Sequence, residues 1–193
     1  MSDSTWSFKS TCFQAVRETH PYREFKSDGI EGYNGCVFKS PSHIVAKATI
    51  DSFEHAAWKY ALEHRLPGIT PVQHVETSNI EVGGAPIHII LRHWVDNCVQ
   101  DKFDEKTMSF LDDMEKFSCM ALSKSKHSAT KFQSIESKYT ENIFKDIIYS
   151  QRKCIDNGYV LSDLSDNNMG IVNDRLVCFD PRLHKIGEKV TFI

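Results

Sequence analysis

Three oxygen-bearing side chains towards the C-terminal end of the chain have types and a spacing that suit chemistry: Asp163, Asn168 five residues on, and Asp180 twelve further on. The apolar pair Tyr159 and Val160 precedes the first, and the apolar run from Leu176 to Phe179 leads into the last. Asn173-Asp174 lies between them, so Gly158 to Arg182 reads as a strand-turn-strand hairpin with polar groups at its ends. Carboxylate and amide oxygens are the hard donors that Mg²⁺ takes, and a carboxylate beside a hydroxyl can accept its proton. Far upstream, Lys47 stands near the end of a second apolar run, Ile44 to Ala48. A cation for phosphate oxygens, oxygen ligands for a metal and a proton acceptor are the groups that phosphoryl transfer requires, because that reaction depends mostly on positioning and charge control.

The elements that must position these groups follow from the pattern. Gly29, Gly32 and Gly35 lead into Cys36-Val37-Phe38, and a turn at Lys39-Ser40-Pro41-Ser42 leads into Ile44-Val45-Ala46-Lys47-Ala48. Two β-branched runs joined in this way read as a hairpin, with glycines that let backbone N–H groups approach an anion. Ser52 to His64 reads as a helix capped by Asp51 or Ser52, with Glu54 in its first turn and Phe53, Ala57, Tyr60, Ala61 and His64 on one face that suits packing against a sheet. Pro67-Gly68 breaks it, Val72 to Val75 reads as a strand, and a Gly83-Gly84 turn leads to another at Ile87 to Leu91. The N-terminal sheet therefore has at least four strands and one helix.

In the second half, Phe110, Met114, Phe117 and Ala121 recur at helical spacing and predict a helix over 105–122. Ser123 to Ser134 has no apolar period and reads as a polar loop. Tyr139, Ile143, Ile147, Ile148 and Ile155 line a further helix stopped by Asn157-Gly158. Residues 1–28 read as an extension with a short helix ending before Pro21, and Lys189 to Ile193 as a short strand.

The bulk properties narrow the classes. A chain of 193 residues with 40% hydrophobic and 25% charged residues suits one globular domain, either single or in two lobes. A net charge of −3 leaves no electrostatic footprint for nucleic acid, so no direct nucleic-acid binding is expected. No apolar run reaches about 18 residues. The N-terminal Met-Ser-Asp-Ser-Thr-Trp lacks the charge and apolar pattern of a signal peptide, and the expectation is a cytoplasmic protein with no membrane partner. Six scattered cysteines read as free thiols, and neither they nor the nine histidines form a zinc-ligand spacing.

The order Gly-rich turn, strand lysine, helix glutamate, Asp-x-x-x-x-Asn and a second Asp resembles the protein kinases, whose H-R-D-x-x-x-x-N loop and D-F-G aspartate it matches at Asp163, Asn168 and Asp180. A closer resemblance is to the early serine/threonine protein kinases of short-tailed, autograph-type bacteriophages, through Asp-x-x-x-x-Asn, Phe179-Asp180-Pro181 and the Pro67-Gly68-Ile69-x-x-Val72 passage. These resemblances imply an α+β fold of minimal protein-kinase type. An antiparallel N-lobe (29–91) would follow the extension 1–28, with a hinge at 92–98 and a truncated, mainly helical C-lobe over 99–193.

They also imply a role for each matched residue, with ATP and Mg²⁺ as cofactors. Lys47 would steady the α- and β-phosphates, and Glu54 or Glu63 would pair with it. Gly32, Gly35, Val37 and Val45 would enclose the nucleotide, and Arg92 and Trp94 would meet it at the hinge. Asp163 would take the proton of the acceptor hydroxyl, and Asn168 and Asp180 would bind the metal. Host proteins would be the substrates or targets.

Three departures stand out: Leu161-Ser162 replaces His-Arg, Ser165 replaces the lysine usual two places after the catalytic aspartate, and Asp180-Pro181-Arg182 replaces D-F-G. Without the arginine, a phosphorylated activation loop has no anchor. Two further readings stand beside the protein kinase. One is a catalytically weak kinase-shaped protein that binds and inhibits a host target. The other is a small-molecule phosphotransferase, because the aminoglycoside-kinase type shares the Asp-x-x-x-x-Asn and Asp-Pro signature.

Overall fold

The computed structural model describes residues 7–21, 23–94 and 103–187. The chain divides into two compact units. The first comprises residues 1–63 and 71–94, the second 64–70 and 95–193.

The first unit is built on a five-stranded antiparallel sheet of β1 (Ile30–Glu31), β2 (Gly35–Lys39), β3 (Ile44–Thr49), β4 (Val72–Val82) and β5 (Ala85–His93), in the order β1-β2-β3-β5-β4. The expected strand at Val72 to Val75 thus continues to Val82, with register shifts between Val72 and His74 and between Thr77 and Glu81. Gly83 and Gly84 make the turn into β5 with φ of 59° and 82°, the left-handed conformation that a two-residue hairpin turn requires.

Alternation along the strands separates the two faces. One face presents Cys36, Phe38, Ala46, Ala48, Ile87, Ile89 and Leu91, which form a core cluster with Cys12, Ala15 and Val16 of α1 (Phe8–Thr19). The extension therefore contributes a helix to the core of this unit. The other face carries Lys47, His88 and Arg92, which meet α2 (Ser52–His64). The His88 ring stacks on His55 at 3.9 Å, and the Arg92 guanidinium lies 5.7 Å from the Trp58 ring. Asp51 is the cap of α2, its Oδ1 accepting from the N–H groups of Phe53 (2.9 Å) and Glu54 (3.2 Å).

The second unit contains α3 (Glu105–Leu122), α4 (Ser128–Lys138) and α5 (Asn142–Asp156). Phe110 and Phe144 pack at 4.6 Å with Tyr139 at 5.0 Å from Phe110, and Phe117 meets Phe132 at 4.9 Å. Helix α4 corrects the expectation of a polar loop through Ser134. Its buried apolar residues are only Phe132 and Ile135, too few to make a period legible. Polar anchors complete it: Asp113 on α3 accepts from Lys131 Nζ (2.6 Å), Lys138 Nζ (2.9 Å) and the Tyr139 hydroxyl (2.7 Å). Tyr139 accordingly ends α4 instead of lining α5.

The single hairpin expected from Gly158 to Arg182 is in fact two nested pairs. The outer pair is β6 (Tyr159–Ser162) with β9 (Arg182–Lys185), and the inner is β7 (Met169–Val172) with β8 (Arg175–Cys178). Asn173 and Asp174 turn the inner pair with φ of 50° and 57°. A 3₁₀ turn at Asp166–Asn168 separates the pairs and interrupts what would otherwise be one ladder. Residues 66–70 also belong here: the Thr70 N–H donates to the Cys178 carbonyl (2.9 Å), and the Cys178 N–H to that of Gly68 (2.9 Å). The short strand expected at Lys189 to Ile193 lies outside the described residues.

Candidate active site

The residues singled out from the sequence fall into two groups, one in each unit. In the first unit, the Lys47 Nζ lies 2.8 Å from the Glu54 Oε1, with side chains only 12% and 6% exposed. The Trp58 Nε1–H donates to the same oxygen at 3.2 Å, from one helical turn further along α2. Glu54 is thus held by the helix that carries it and faces the strand that carries the lysine. Glu63, the alternative partner, is exposed. Val37 stands opposite Lys47 across the β2–β3 ladder, and the buried Val45 stands opposite Arg92 across β3–β5.

The glycines have local structural causes. The Gly32 N–H donates to the Gly35 carbonyl at 2.8 Å and closes a tight hairpin between β1 and β2, with Tyr33 at its tip and 88% exposed. A Cβ on Gly35 would stand 2.3 Å from the Ala48 carbonyl oxygen, so the close approach of β3 requires glycine there. Arg92 is buried and donates from Nη1 to the His93 carbonyl at 3.2 Å. The Trp94 N–H donates to the His43 carbonyl (2.9 Å), and the Lys39 ammonium sits 3.4 Å from the Trp94 ring centroid. The expected hinge beyond Trp94, from 95 to 98, lies outside the described residues.

In the second unit, β6 is pinned by two buried side chains. Gln151 Oε1 accepts from the Leu161 N–H at 3.1 Å, and the Ser118 hydroxyl donates to the Leu161 carbonyl at 2.8 Å. Asp163 follows two residues later with φ of 61°, an unusual backbone state for a non-glycine residue. The Asn168 Nδ2 donates to the Asp163 carbonyl at 3.0 Å, and the Phe179 N–H donates to the Asn168 carbonyl at 2.9 Å. Asp163, Asn168 and the approach to Asp180 are thereby tied into one cluster. The Arg182 Nε lies 3.8 Å from Asp163 Oδ2, with both side chains 37% exposed. Sequence reasoning missed this neighbour, although Arg182 is the register partner of Ser162, next to Asp163.

The donor chemistry of this cluster fits Mg²⁺. The bond from Asn168 Nδ2 to the Asp163 carbonyl occupies the amide nitrogen and leaves Oδ1, a hard oxygen, as the other pole of the side chain; Asp180 supplies a carboxylate.

No family model matches the chain, and no curated protein matches it. Among solved structures, the GDP complex of aminoglycoside 2′-phosphotransferase-IIIa is similar over 93% of this chain and 75% of its own, at 13% identity and a TM-score of 0.45. The streptomycin–ATP ternary complex of APH(2″)-IIa is similar over 90% and 71%, at 14% identity and a TM-score of 0.39. The microcompartment-associated aminopropanol kinase is similar over 89% and 70%, at 10% identity and 0.40. Likeness at these values carries no argument for this chain, whose chemistry rests on its own residues.

Proposed function

We propose that this protein is an ATP- and Mg²⁺-dependent phosphotransferase that moves the γ-phosphoryl group to a hydroxyl. The observation that carries the reading is the buried Lys47–Glu54 pair. A buried ion pair is a poor device for stability, because desolvation offsets its attraction. What it does achieve is to hold an ammonium group at a fixed place on a strand, as phosphate oxygens require.

Lys47 binds the non-transferred phosphates. Asp163 orients the acceptor hydroxyl and takes its proton as the O–Pγ bond forms and the bond from Pγ to the ADP oxygen breaks. Asn168 and Asp180 hold the Mg²⁺, which, when bound, neutralises charge on the phosphate oxygens. Asn168 also fixes Asp163 through the latter's carbonyl.

The acceptor we favour is a small-molecule hydroxyl. Ser165 stands two places after Asp163, so the lysine usual there in the serine/threonine kinases that the motif resembles is missing. A host protein serine or threonine, implied by the phage resemblance, is the alternative acceptor.

The test incubates purified protein with Mg²⁺ and γ-labelled ATP, alone, with a cell lysate and with its small-molecule fraction, beside Asp163→Ala and Asp180→Ala. Label in a small molecule, lost in both variants, is the expected result. Label in proteins would replace the favoured acceptor with the alternative. No label in any fraction would overturn the phosphotransferase and leave a kinase-shaped binding protein.

A further inference from the structure

A second cluster of chemically capable side chains lies in the first unit, away from Lys47. His20 terminates α1, its backbone N–H donating to the Val16 carbonyl at 2.9 Å. His74 and Glu76 are two residues apart on β4 and so share a face of the sheet. Their register partners are Leu91 and Ile89, which pack against α1, so that shared face is the one on which α1 lies. The His20 Nε2 stands 2.8 Å from Glu76 Oε1, the His74 Nε2 stands 3.2 Å from the same oxygen, and one ligand atom from each of the three residues falls within 4.8 Å of the others. The two imidazole rings are nearly perpendicular, at 84°.

Hydrogen bonding does not account for this arrangement. Both His20 Nε2 and Glu76 Oε1 are buried, and neither makes a hydrogen bond among the described residues, since their 2.8 Å approach lies off hydrogen-bond geometry. The two atoms stand at ion-pair distance, which serves only a protonated His20; with the imidazole neutral, two buried polar atoms without a hydrogen bond face each other, an unfavourable state that one cation between them would relieve.

The geometry points to a site for a divalent transition metal of the zinc class, ligated by His20, His74 and Glu76. Two imidazoles and one carboxylate suit Zn²⁺ better than Mg²⁺ or Ca²⁺, which prefer oxygen alone. With bonds of about 2.0–2.1 Å, tetrahedral ligand atoms stand roughly 3.3 Å apart. The observed gaps of 2.8 and 3.2 Å reach that spacing with small side-chain adjustments. The His74 side chain is 50% exposed, so a fourth position is open to water. The ion would clamp the end of α1 to the outer strand of the sheet, a role independent of the phosphotransferase reading. The three residues are separated by more than fifty positions between the first and the pair, so no ligand spacing announces them in the sequence.

The test uses the full chain stripped of metal by chelator and titrated with Zn²⁺ by calorimetry, with Co²⁺ as a spectroscopic substitute. The expected result is one equivalent per chain, bound with a Kd on the order of micromolar or tighter. It also includes a visible Co²⁺ spectrum of tetrahedral type without a thiolate band, and a rise in unfolding midpoint with Zn²⁺. His20→Ala and Glu76→Gln should weaken uptake at least about tenfold and abolish the thermal shift. His74→Asn, at a half-exposed strand position where folding is not at risk, should do the same, and His127→Ala should leave uptake intact. Absence of uptake by the wild type, uptake unchanged in His74→Asn, or a thiolate band would overturn the site.

Discussion

Lys47 and Glu54 make a prediction that separates stability from function. Lys47→Met removes the ammonium that pairs with the buried Glu54 carboxylate, and should destabilise the protein by about 3–5 kcal/mol. Lys47→Met combined with Glu54→Gln removes both charges and should recover most of that loss, yet bind ATP no better than the single variant. Urea unfolding and nucleotide titration check the pair, and a double variant no more stable than the single one would contradict it. Asp163 makes a second prediction from its φ of 61°. Asp163→Gly should keep or raise stability, by up to about 1 kcal/mol, because glycine adopts that backbone state without strain. Phosphoryl transfer should nevertheless fall by roughly 10²–10⁴ with the loss of the proposed proton acceptor. At this scale it is spacing along the chain that singles out Lys47, Asp163, Asn168 and Asp180, and the structure adds the Lys47–Glu54 pair and the bond from Asn168 to the Asp163 carbonyl. The sequence was silent on why Gly35 is glycine and on Arg182 beside Asp163, because both depend on contacts across a ladder.

Helix α4 shows what periodicity cannot reveal at the scale of an element. Its two buried apolar residues are supplemented by the carboxylate of Asp113, which takes hydrogen bonds from Lys131, Lys138 and Tyr139. Burial alone would raise the Asp113 pKa, but those three donors outweigh it and hold the carboxyl well below the usual carboxylate range. The folded-state pKa is therefore depressed. The resulting stability is fully present above the unfolded value of about 3.9 and is lost as the pH falls below it towards the folded value. Asp113→Asn should destabilise the protein by about 1–3 kcal/mol and should flatten this acid limb. Hydrogen exchange should localise the loosening to α4, and unchanged protection there would count against the account. The elements with a clear apolar period, α2 and α3, were legible to within a residue or two. The nested pairs β6–β9 and β7–β8 were not, because a 3₁₀ turn in a polar stretch leaves no hydrophobic signal.

The whole molecule combines two compact units, and the described residues contain no helix long and apolar enough to cross a membrane. The α+β class, the antiparallel sheet with its helix and the mainly helical second unit all follow the expectation from the sequence. The second unit is not continuous in sequence, since it includes residues 64–70 from between two parts of the first. Gly68 is the tightest point of that loan. A Cβ there would stand 2.6 Å from the Asp146 carbonyl oxygen and 2.7 Å from the Ile147 Cα, and its N–H donates to the Ser150 hydroxyl at 2.9 Å. Gly68→Ala should therefore destabilise the protein by about 1–3 kcal/mol, measured by chemical denaturation.

The same borrowed segment limits how the protein can be cut. A fragment starting at residue 95 would lack Ile69, which bridges Cys178, and both backbone groups of Cys178 would lose their partners at Gly68 and Thr70. Cys178 lies two residues before Asp180, so the loss would fall on the approach to the aspartate proposed to hold the metal. Such a fragment should be restored by a synthetic peptide carrying Leu66 to Thr70, which would make the break in the chain a site for a split and reassembled protein.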